Sequence, residues 1–251
     1  MFGDKLLYYL ANYTLQHSFE KKVINFLKKE KKLIIFDIGC YRGIFTKTIL
    51  NLLGRKRYKF YLFDINKNVK NYLKKILKLK NIYYNEIALS NKNGTANYNY
   101  NEFFESAGSS LSNVFKNDKR WNFSRKMLVK ILSLNPKEKR GFAKYKVPTI
   151  TLDRFLKKNK IKKIDLLKVD IEGSEYSLLK GAKKALKKNK IKIILLEIMD
   201  KKDNYDKKEK KILSLLKNKN FNLIKKANIL STSLFSGLKG ADYLFINKKY
   251  L

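Results

Sequence analysis

Acidic side chains follow the apolar, strand-like runs of this sequence with unusual regularity. Basic residues outnumber acidic ones 58 to 21, so chance would place lysines at these positions. Carboxylates grouped in a fold can move a proton, accept hydrogen bonds from ligand hydroxyls or hold a hard cation. The acids that follow successive candidate strands are Asp37, Asp64, Glu86, Asp170 and Glu197.

The first of these acids opens a loop that contains two glycines. Asp37-Ile38-Gly39-Cys40-Tyr41-Arg42-Gly43 directly follows the apolar run Leu33-Ile34-Ile35-Phe36. Gly39 allows a tight turn, and Gly43 allows a helix start to approach a ligand closely. The Gly-x-Gly-x-x-Gly pattern of dinucleotide sites and the Gly-Lys-Ser/Thr pattern of phosphate loops are both absent.

This loop and the second acid together indicate a nucleoside site, with an ordinary strand-to-helix turn as the alternative. Asp64 ends the next strand, where a carboxylate can accept both ribose hydroxyls. S-adenosylmethionine fits better than a dinucleotide, because it has no pyrophosphate to seat at a helix N-terminus and its ammonium would favour Asp37. The expected cofactor contacts are Asp37, Gly39, Cys40, Tyr41, Gly43 and Asp64, with Glu86 and Ala88 near the adenine.

The elements that must position these groups alternate between strand and helix. Such alternation predicts an α/β fold with a mostly parallel sheet and ligands at the carboxyl ends of its strands. Asn93-Gly94 predicts a hairpin turn, and Thr151 predicts a helix cap. The predicted strands are 33–36, 58–63, 81–88, 95–100, 146–150, 164–169, 191–196, 221–224 and 243–246, and the predicted helices include 43–53, 68–79, 174–186 and 206–216.

The domain organisation follows from the same pattern. Residues 1–30 are predicted to form an amino-terminal helical segment, and residues 31–251 a single domain. The rhythm breaks at about residues 101–144, which we interpret as an insertion or lid.

Two stretches resemble the FkbM-type family of S-adenosylmethionine-dependent methyltransferases. Residues 147–153 read Val-Pro-Thr-Ile-Thr-Leu-Asp, and residues 164–175 read Ile-Asp-Leu-Leu-Lys-Val-Asp-Ile-Glu-Gly-Ser-Glu. Leu179-Lys180-Gly181-Ala182 extends the resemblance, which covers residues 33–247, although Cys40-Tyr41-Arg42 departs from the family's usual small, polar filling. The resemblance implies a Rossmann-like class I methyltransferase: a seven-stranded, mostly parallel sheet with a reversed last strand, helices on both faces, and methylation of a hydroxyl oxygen.

Roles for the remaining candidates follow from this resemblance. Asp170 or Glu172 would take the proton of the acceptor hydroxyl or orient it, while helix capping is the alternative for Glu172. Ser109-Ser110-Leu111 resembles a Ser-Ser/Thr-Leu loop of the family, so Ser109, Ser110 and Glu197 are expected to contact the acceptor. Lys168 is interpreted as the partner of a nearby carboxylate. Asp170, Glu172 and Glu197 could alternatively hold Mg²⁺.

Composition excludes several classes of site. One cysteine and one histidine exclude a disulfide scaffold, a cysteine-based zinc cluster and a histidine-rich metal site. No apolar run approaches the roughly 20 residues of a membrane-spanning helix, and we expect a cytoplasmic location. The net charge of +37 indicates either an anionic acceptor or the composition of an A/T-rich genome, because the lysines are spread over almost every segment.

Three functions therefore remain open. The first is methylation of a small-molecule or glycan acceptor. The second is RNA methylation, which the charge suggests, although the Asn/Asp-Pro-Pro-aromatic motif for base amines and a Pro-Cys nucleophile are absent. The third is a non-catalytic binding protein with the same fold. The sequence does not indicate the oligomeric state.

Overall fold

The computed structural model describes residues 19–28, 30–54, 57–101, 109–114, 116–119, 123, 127, 142–229 and 237–251. Most of the predicted lid and residues 1–18 of the predicted amino-terminal segment lie outside these residues. The strands are β1 (Lys32–Ile38), β2 (Arg57–Phe63), β3 (Ile82–Asn85), β4 (Ala88–Leu89), β5 (Gly94–Asn101), β6 (Phe142–Ile150), β7 (Ile164–Val169), β8 (Ile191–Lys201), β9 (Phe221–Asn228) and β10 (Leu238–Asn247). The helices are α1 (Ile44–Leu53), α2 (Val69–Tyr72), α3 (Leu152–Lys158), α4 (Glu175–Gly181), α5 (Lys183–Lys187) and α6 (Lys202–Lys217), with 3₁₀ turns at Ile76–Lys78 and Lys248–Tyr250 and a helical segment at 19–27.

Seven strands form one central sheet in the order β3-β2-β1-β7-β8-β10-β9. The pairs among β3, β2, β1, β7 and β8 are parallel, while β10 is antiparallel to both of its neighbours. The central strands carry β-branched and other apolar residues on both sides, as is typical of a sheet covered on both faces. The predicted α/β fold with a reversed last strand is confirmed.

Helices cover both faces of this sheet and form two apolar cores. On one face, α3, α4, α5 and α6 pack against residues such as Leu167 and Ile194. On the other face, segment 19–27, α1 and α2 pack against residues such as Leu166 and Ile193. Successive residues of one strand thus enter opposite cores, and this alternation decides which side chains reach each side of the strand ends.

The second sheet contradicts two of the expectations. The predicted single strand 81–88 is divided between β3 of the central sheet and β4 of a three-stranded sheet in the order β4-β6-β5. The predicted hairpin at Asn93-Gly94 is wrong, because β4 and β5 lie on either side of β6 and do not pair with each other. Asn93 instead accepts the Thr151 N–H at 3.1 Å, which ties this connection to the start of α3.

Two of the predicted helices are each divided into two shorter elements. The predicted helix 68–79 consists of α2 and a separate 3₁₀ turn, and the predicted helix 174–186 is divided at Ala182 into α4 and α5. A Cβ atom on Gly181 would lie 2.0 Å from the Ser90 carbonyl oxygen, so the end of α4 packs directly on the connection between β4 and β5.

The Thr-Leu-Asp stretch stabilises this frame through helix caps. The Thr151 hydroxyl accepts the N–H of Arg154 at 3.2 Å, which confirms the predicted cap of α3. Asp153 accepts the N–H groups of Lys184 and Ala185, each at 2.8 Å, and so caps α5. A carboxylate at a helix N-terminus also interacts favourably with the helix dipole.

Replacing Asp153 with alanine should therefore lower stability without affecting ligand binding. We expect Asp153→Ala to lose about 1–2 kcal/mol of unfolding free energy, because two amides of α5 lose their acceptor. Urea unfolding measures this loss. Asp153→Asn, which keeps one acceptor oxygen, should lose less, and equal stability of Asp153→Ala and the parent would contradict the capping role.

Candidate active site

The loop after β1 is held between the ends of β2 and β7 by backbone contacts. The Gly39 N–H donates to the Phe63 carbonyl oxygen at 2.9 Å, and the Asp170 N–H donates to the Ile38 carbonyl oxygen at 3.0 Å. Gly39 has a φ of 78°, and a Cβ atom on it would lie 1.7 Å from the Asp170 carbonyl oxygen. Glycine is thus the residue that permits the three strand ends to meet.

The other residues of this loop have packing roles of their own. Gly43 has a φ of 68°, and a Cβ atom there would lie 2.5 Å from Ile76 Cδ1 and 2.7 Å from Leu73 Cδ2. Cys40 is buried, and burial raises the pKa of its thiol well above the ordinary value. The Tyr41 ring contacts the Tyr72 ring at a centroid distance of 5.6 Å. Their contacts with a cofactor stay predictions.

Asp64 joins the loop after β1 to the loop after β2. Its Oδ2 accepts the Tyr41 N–H at 2.9 Å, and its Oδ1 accepts the Asn66 N–H at 3.0 Å. Burial raises the pKa of this carboxyl, and the two backbone N–H groups act against that rise. Because each carboxylate oxygen has two lone pairs, Asp64 retains capacity for ligand hydroxyls.

A buried ion network occupies the centre of the strand ends. Asp37 is fully buried and accepts the Thr46 hydroxyl at 2.6 Å. Lys168 Nζ lies 3.5 Å from Asp37 Oδ1 and donates to the Gly39 carbonyl oxygen and to Asp170 Oδ2, both at 3.1 Å. Burial raises the pKa of Asp37 although Lys168 opposes the rise. The interpretation of Lys168 as a carboxylate partner is confirmed, and Asp170 remains partly exposed.

A second pair of carboxylates lies next to this network. Val169 pairs with Leu196 in register, so Asp170 and Glu197 follow side by side, and Glu197 is directly opposite Asp242 of β10. Burial, then Asp170 and Asp242, raise the pKa of Glu197 well above its ordinary range. Burial and Asp170 raise the pKa of Asp242 to about 7. Burial is the larger cause for both carboxyl groups, and neighbouring carboxylates add to it.

Asp242 is a further candidate site residue, which the sequence pattern did not reveal. Parallel strands present their last residues at this edge, whereas Asp242 does not end a strand. The strand β10 runs in the reverse direction, so it presents a residue from its first half at the same edge. Within the part of the chain that the structure describes, no group of three or more His, Cys, Asp or Glu side chains could hold a metal ion, so the Mg²⁺ alternative is not supported.

Glu172 lies in the turn between β7 and α4. It has a φ of 53°, and its carbonyl oxygen accepts the Ser112 hydroxyl at 2.9 Å. Glu175 Oε1 accepts the Gly173 N–H of the same turn at 2.6 Å, and the N-cap residue of α4, Ser174, makes no side-chain capping bond. Glu175 is buried and forms an ion pair with Lys208 at 2.7 Å. A catalytic role of Glu172 stays a prediction.

Ser109 and Ser110, the serines that are expected to contact the methyl acceptor, connect the second sheet to this turn. The Ser110 hydroxyl donates to the Ile171 carbonyl oxygen at 3.1 Å and lies 3.2 Å from the Ser174 hydroxyl. Ser109 Oγ accepts the Asn101 N–H at 2.8 Å. These bonds give both serines a positioning role in the fold, and their contact with an acceptor stays a prediction.

A cavity of ≈ 490 Å³ lies between the ends of β2 and β3 and the second sheet. Burial and the nearby Asp64 carboxylate raise the pKa of Tyr98, which lines this cavity. Lys67 Nζ lies 4.3 Å from the centre of the Tyr145 ring. Ala88 pairs with Thr149 in the second sheet and is not part of the lining. The lining residues are Ile65, Lys67, Asn68, Glu86, Tyr98, Tyr100, Tyr145, Lys146, Val147 and Pro148.

Comparison with known proteins decides the family. The family model described as "Methyltransferase FkbM domain" matches residues 37–223, which is more than half of the chain. The chain belongs to the FkbM methyltransferase family. Its matched region includes the strand-end residues from Asp37 to Glu197, while Asp242 lies beyond it.

Solved structures show the same fold at low sequence identity. An FkbM methyltransferase from Methylobacillus flagellatus KT has a TM-score of 0.50 and 12% identity, with 85% of this chain aligned to 44% of that one. This FkbM chain thus spans less than half the length of that relative.

Two further solved structures are similar to the chain. A fibrillarin from Aeropyrum pernix with bound S-adenosyl-L-methionine has a TM-score of 0.44 and 11% identity over 87% of this chain and 67% of that one. The N-methyltransferase NodS from Bradyrhizobium japonicum WM9 has a TM-score of 0.43 and 7% identity over 92% and 96%. No curated protein matches the chain.

In the described part of this FkbM domain, no helix combines the length and apolarity that crossing a membrane requires.

The raised pKa of Asp242 makes the stability of this FkbM domain depend on pH. The carboxyl group keeps its proton up to about pH 7 in the folded state and loses it near pH 4 when unfolded. The folded state therefore binds more protons between these values, and stability falls as pH rises through this window.

Asp242→Asn removes this ionisation. We expect the variant to exceed the parent in unfolding free energy by on the order of 2 kcal/mol at pH 8, and to equal it near pH 4. Urea unfolding across this pH range measures the difference. Glu86→Gln, which changes an exposed carboxylate at the same edge, should leave the pH dependence as it is. A constant difference at all pH values would contradict the proposed ionisation.

Proposed function

We propose that this protein is an S-adenosylmethionine-dependent O-methyltransferase that acts on a hydroxyl group of a sugar, a glycan or another small-molecule acceptor. One observation carries the proposal. The Gly39 loop lies between a tyrosine-lined cavity next to Asp64 on one side and the carboxylates of Asp170 and Glu197 on the other. A ligand that crosses this loop would present its nucleoside to the cavity and its reactive end to the carboxylates.

The side chains around the cavity can bind the nucleoside of the cofactor. Tyrosine rings stack on purine bases, and Asp64 at the cavity's edge can accept ribose hydroxyls. The absence of a side chain at Gly39 allows the loop backbone to pack directly against the Asp170 carbonyl group. When bound, the cofactor supplies a methyl group that its sulfonium has already activated, so the protein's contribution is alignment and proton removal.

The carboxyl groups on the other side of the loop can bind and deprotonate an alcohol acceptor. The Asp170 side chain is 30% exposed and is held in place by Lys168, so it can reach an acceptor hydroxyl and take its proton as the oxygen–methyl bond forms. Glu197 favours its protonated form and suits a hydrogen bond to the acceptor oxygen. Glu172 on the adjacent turn is the second candidate base.

Removing a cavity tyrosine should weaken binding of the methyl donor and of its product equally. Tyr145 contacts the Tyr100 ring at a centroid distance of 6.0 Å and forms part of the cavity wall. We expect Tyr145→Ala to lower the affinity for S-adenosylmethionine and for S-adenosylhomocysteine by about tenfold each, because both share the base that stacks. Isothermal titration calorimetry measures both constants.

A matched control for this experiment is Tyr83→Ala. Tyr83 is an exposed tyrosine of β3 that stacks on Tyr61 and does not line the cavity. Its replacement should leave both affinities unchanged. Parent-like affinities in Tyr145→Ala, or an equal loss in Tyr83→Ala, would contradict the placement of the base.

The Asp170→Asn variant tests the proposed chemistry. We expect kcat to fall by about 10²–10⁴-fold, because the amide cannot accept the hydroxyl proton, while the affinity for S-adenosylhomocysteine changes little. A tritium-methyl transfer screen of glycans, small sugars and total RNA first identifies the acceptor. Asp206→Asn, which alters an exposed carboxylate of α6, should keep parent turnover. Full turnover in Asp170→Asn would exclude this residue as the base, and preferential labelling of RNA would overturn the acceptor class.

A further inference from the structure

Lys168 is a lysine enclosed among acceptors from two segments of the chain. Its side chain is 12% exposed, whereas most lysines among the described residues are exposed. Its ammonium contacts Asp37 of β1, the Gly39 carbonyl oxygen of the adjoining loop and Asp170 at the end of its own strand. The contacts with Gly39 and Asp170 are hydrogen bonds, and the contact with Asp37 is an ion pair at 3.5 Å.

The surroundings of Lys168 are otherwise acidic. Asp170 and Glu197 interact with it from β7 and β8, Asp242 from β10 and Asp64 from β2, while the Phe45 ring of α1 lies 5.8 Å from its Nζ. A cationic ligand at these strand ends would be attracted by the carboxylates and repelled by this one ammonium. The charge of Lys168 therefore sets how strongly the site discriminates between a cation and a neutral ligand of the same shape.

We propose that Lys168 is a positioning residue that fixes the Gly39 carbonyl group and the Asp170 carboxylate relative to each other, and whose charge reduces the preference of the site for the cationic methyl donor over its neutral product. This inference rests on the proposed function. Methyl transfer removes the positive charge of the sulfonium. A site that held the cation too strongly would therefore stabilise the ground state more than the transition state.

Lys168 also occupies the position beside Asp37 that would otherwise attract the ammonium group of a ligand. Asp37 is fully buried, and its two oxygens face Thr46 and Lys168. The protein's own ammonium thus compensates the charge of this carboxylate through an ion pair. The Gly39 carbonyl oxygen is held by the same group, so the loop geometry and the charge of the site depend on one side chain.

The test compares binding of S-adenosylmethionine and S-adenosylhomocysteine by calorimetry in Lys168→Met and the parent. We expect the ratio of the two affinities to shift in favour of the cationic donor by at least about threefold, because the Asp170 charge loses its counter-ion. A purely structural role of Lys168 would weaken both ligands by the same factor and leave the ratio unchanged.

A second pair of variants, both carrying Asp37→Asn, controls for the effect of Lys168→Met on Asp37. In Lys168→Met the buried Asp37 would take up a proton or destabilise the fold. Asp37→Asn and Asp37→Asn/Lys168→Met avoid this complication because residue 37 no longer ionises, and the same shift in the ratio is expected between them.

Lys192→Met is the matched control. Lys192 is 10% exposed, pairs with Glu30 at 2.8 Å and donates to the Phe26 carbonyl oxygen at 3.2 Å, near the start of β8 and away from the strand ends. Its loss should lower stability without changing the affinity ratio. An unchanged ratio in both Lys168 backgrounds would overturn this inference while leaving the proposed function intact. Failure of both ligands to bind the parent would instead overturn the proposed function.

Discussion

The close contact of Gly39 with the Asp170 carbonyl group is the constraint on which the site depends. It allows the loop after β1 to lie between the ends of β2 and β7, where the backbone hydrogen bonds from Gly39 to Phe63 and from Asp170 to Ile38 hold it. Any larger residue would separate these ends. Asp64, Asp37 and Asp170 come from three segments of the chain that are far apart in sequence, and this contact brings them to one edge.

The residues that carry the family resemblance divide into two groups. Thr151, Asp153 and Glu175 form caps and buried contacts that stabilise the helices around the strand ends. Lys168 and Asp170 face each other at the strand ends themselves. The recognisable pattern thus describes mainly the frame that holds the chemistry, and only a few of its side chains are placed to take part in a reaction.

The fold could be predicted because its signals are local. Apolar β-branched runs with Lys-rich helical segments between them predict parallel strands, and Thr151 has the spacing of a helix cap. The hairpin predicted at Asn93-Gly94 was wrong because this dipeptide favours a hairpin turn, whereas β6 lies between the two strands that the turn connects. Long-range strand order is not encoded in a dipeptide.

The site was predicted less completely, since part of it depends on register. Asp37, Asp64 and Asp170 lie at or directly after the ends of parallel strands and could be found from strand ends alone. Asp242 required the antiparallel register of β10 against β8, and the tyrosine-lined cavity required the second sheet to fold over the ends of β2 and β3. The structural role of Ser110 likewise depends on a contact with residues more than sixty positions away.

A crystal structure of the protein with S-adenosylhomocysteine would show where the nucleoside binds. We expect the purine among the tyrosines of the cavity, the ribose hydroxyls on Asp64, and the sulfur on the far side of Gly39, facing Asp170. A nucleoside bound at another edge of the sheet, or a cavity that closes around Asp64 and excludes the ligand, would contradict this expectation.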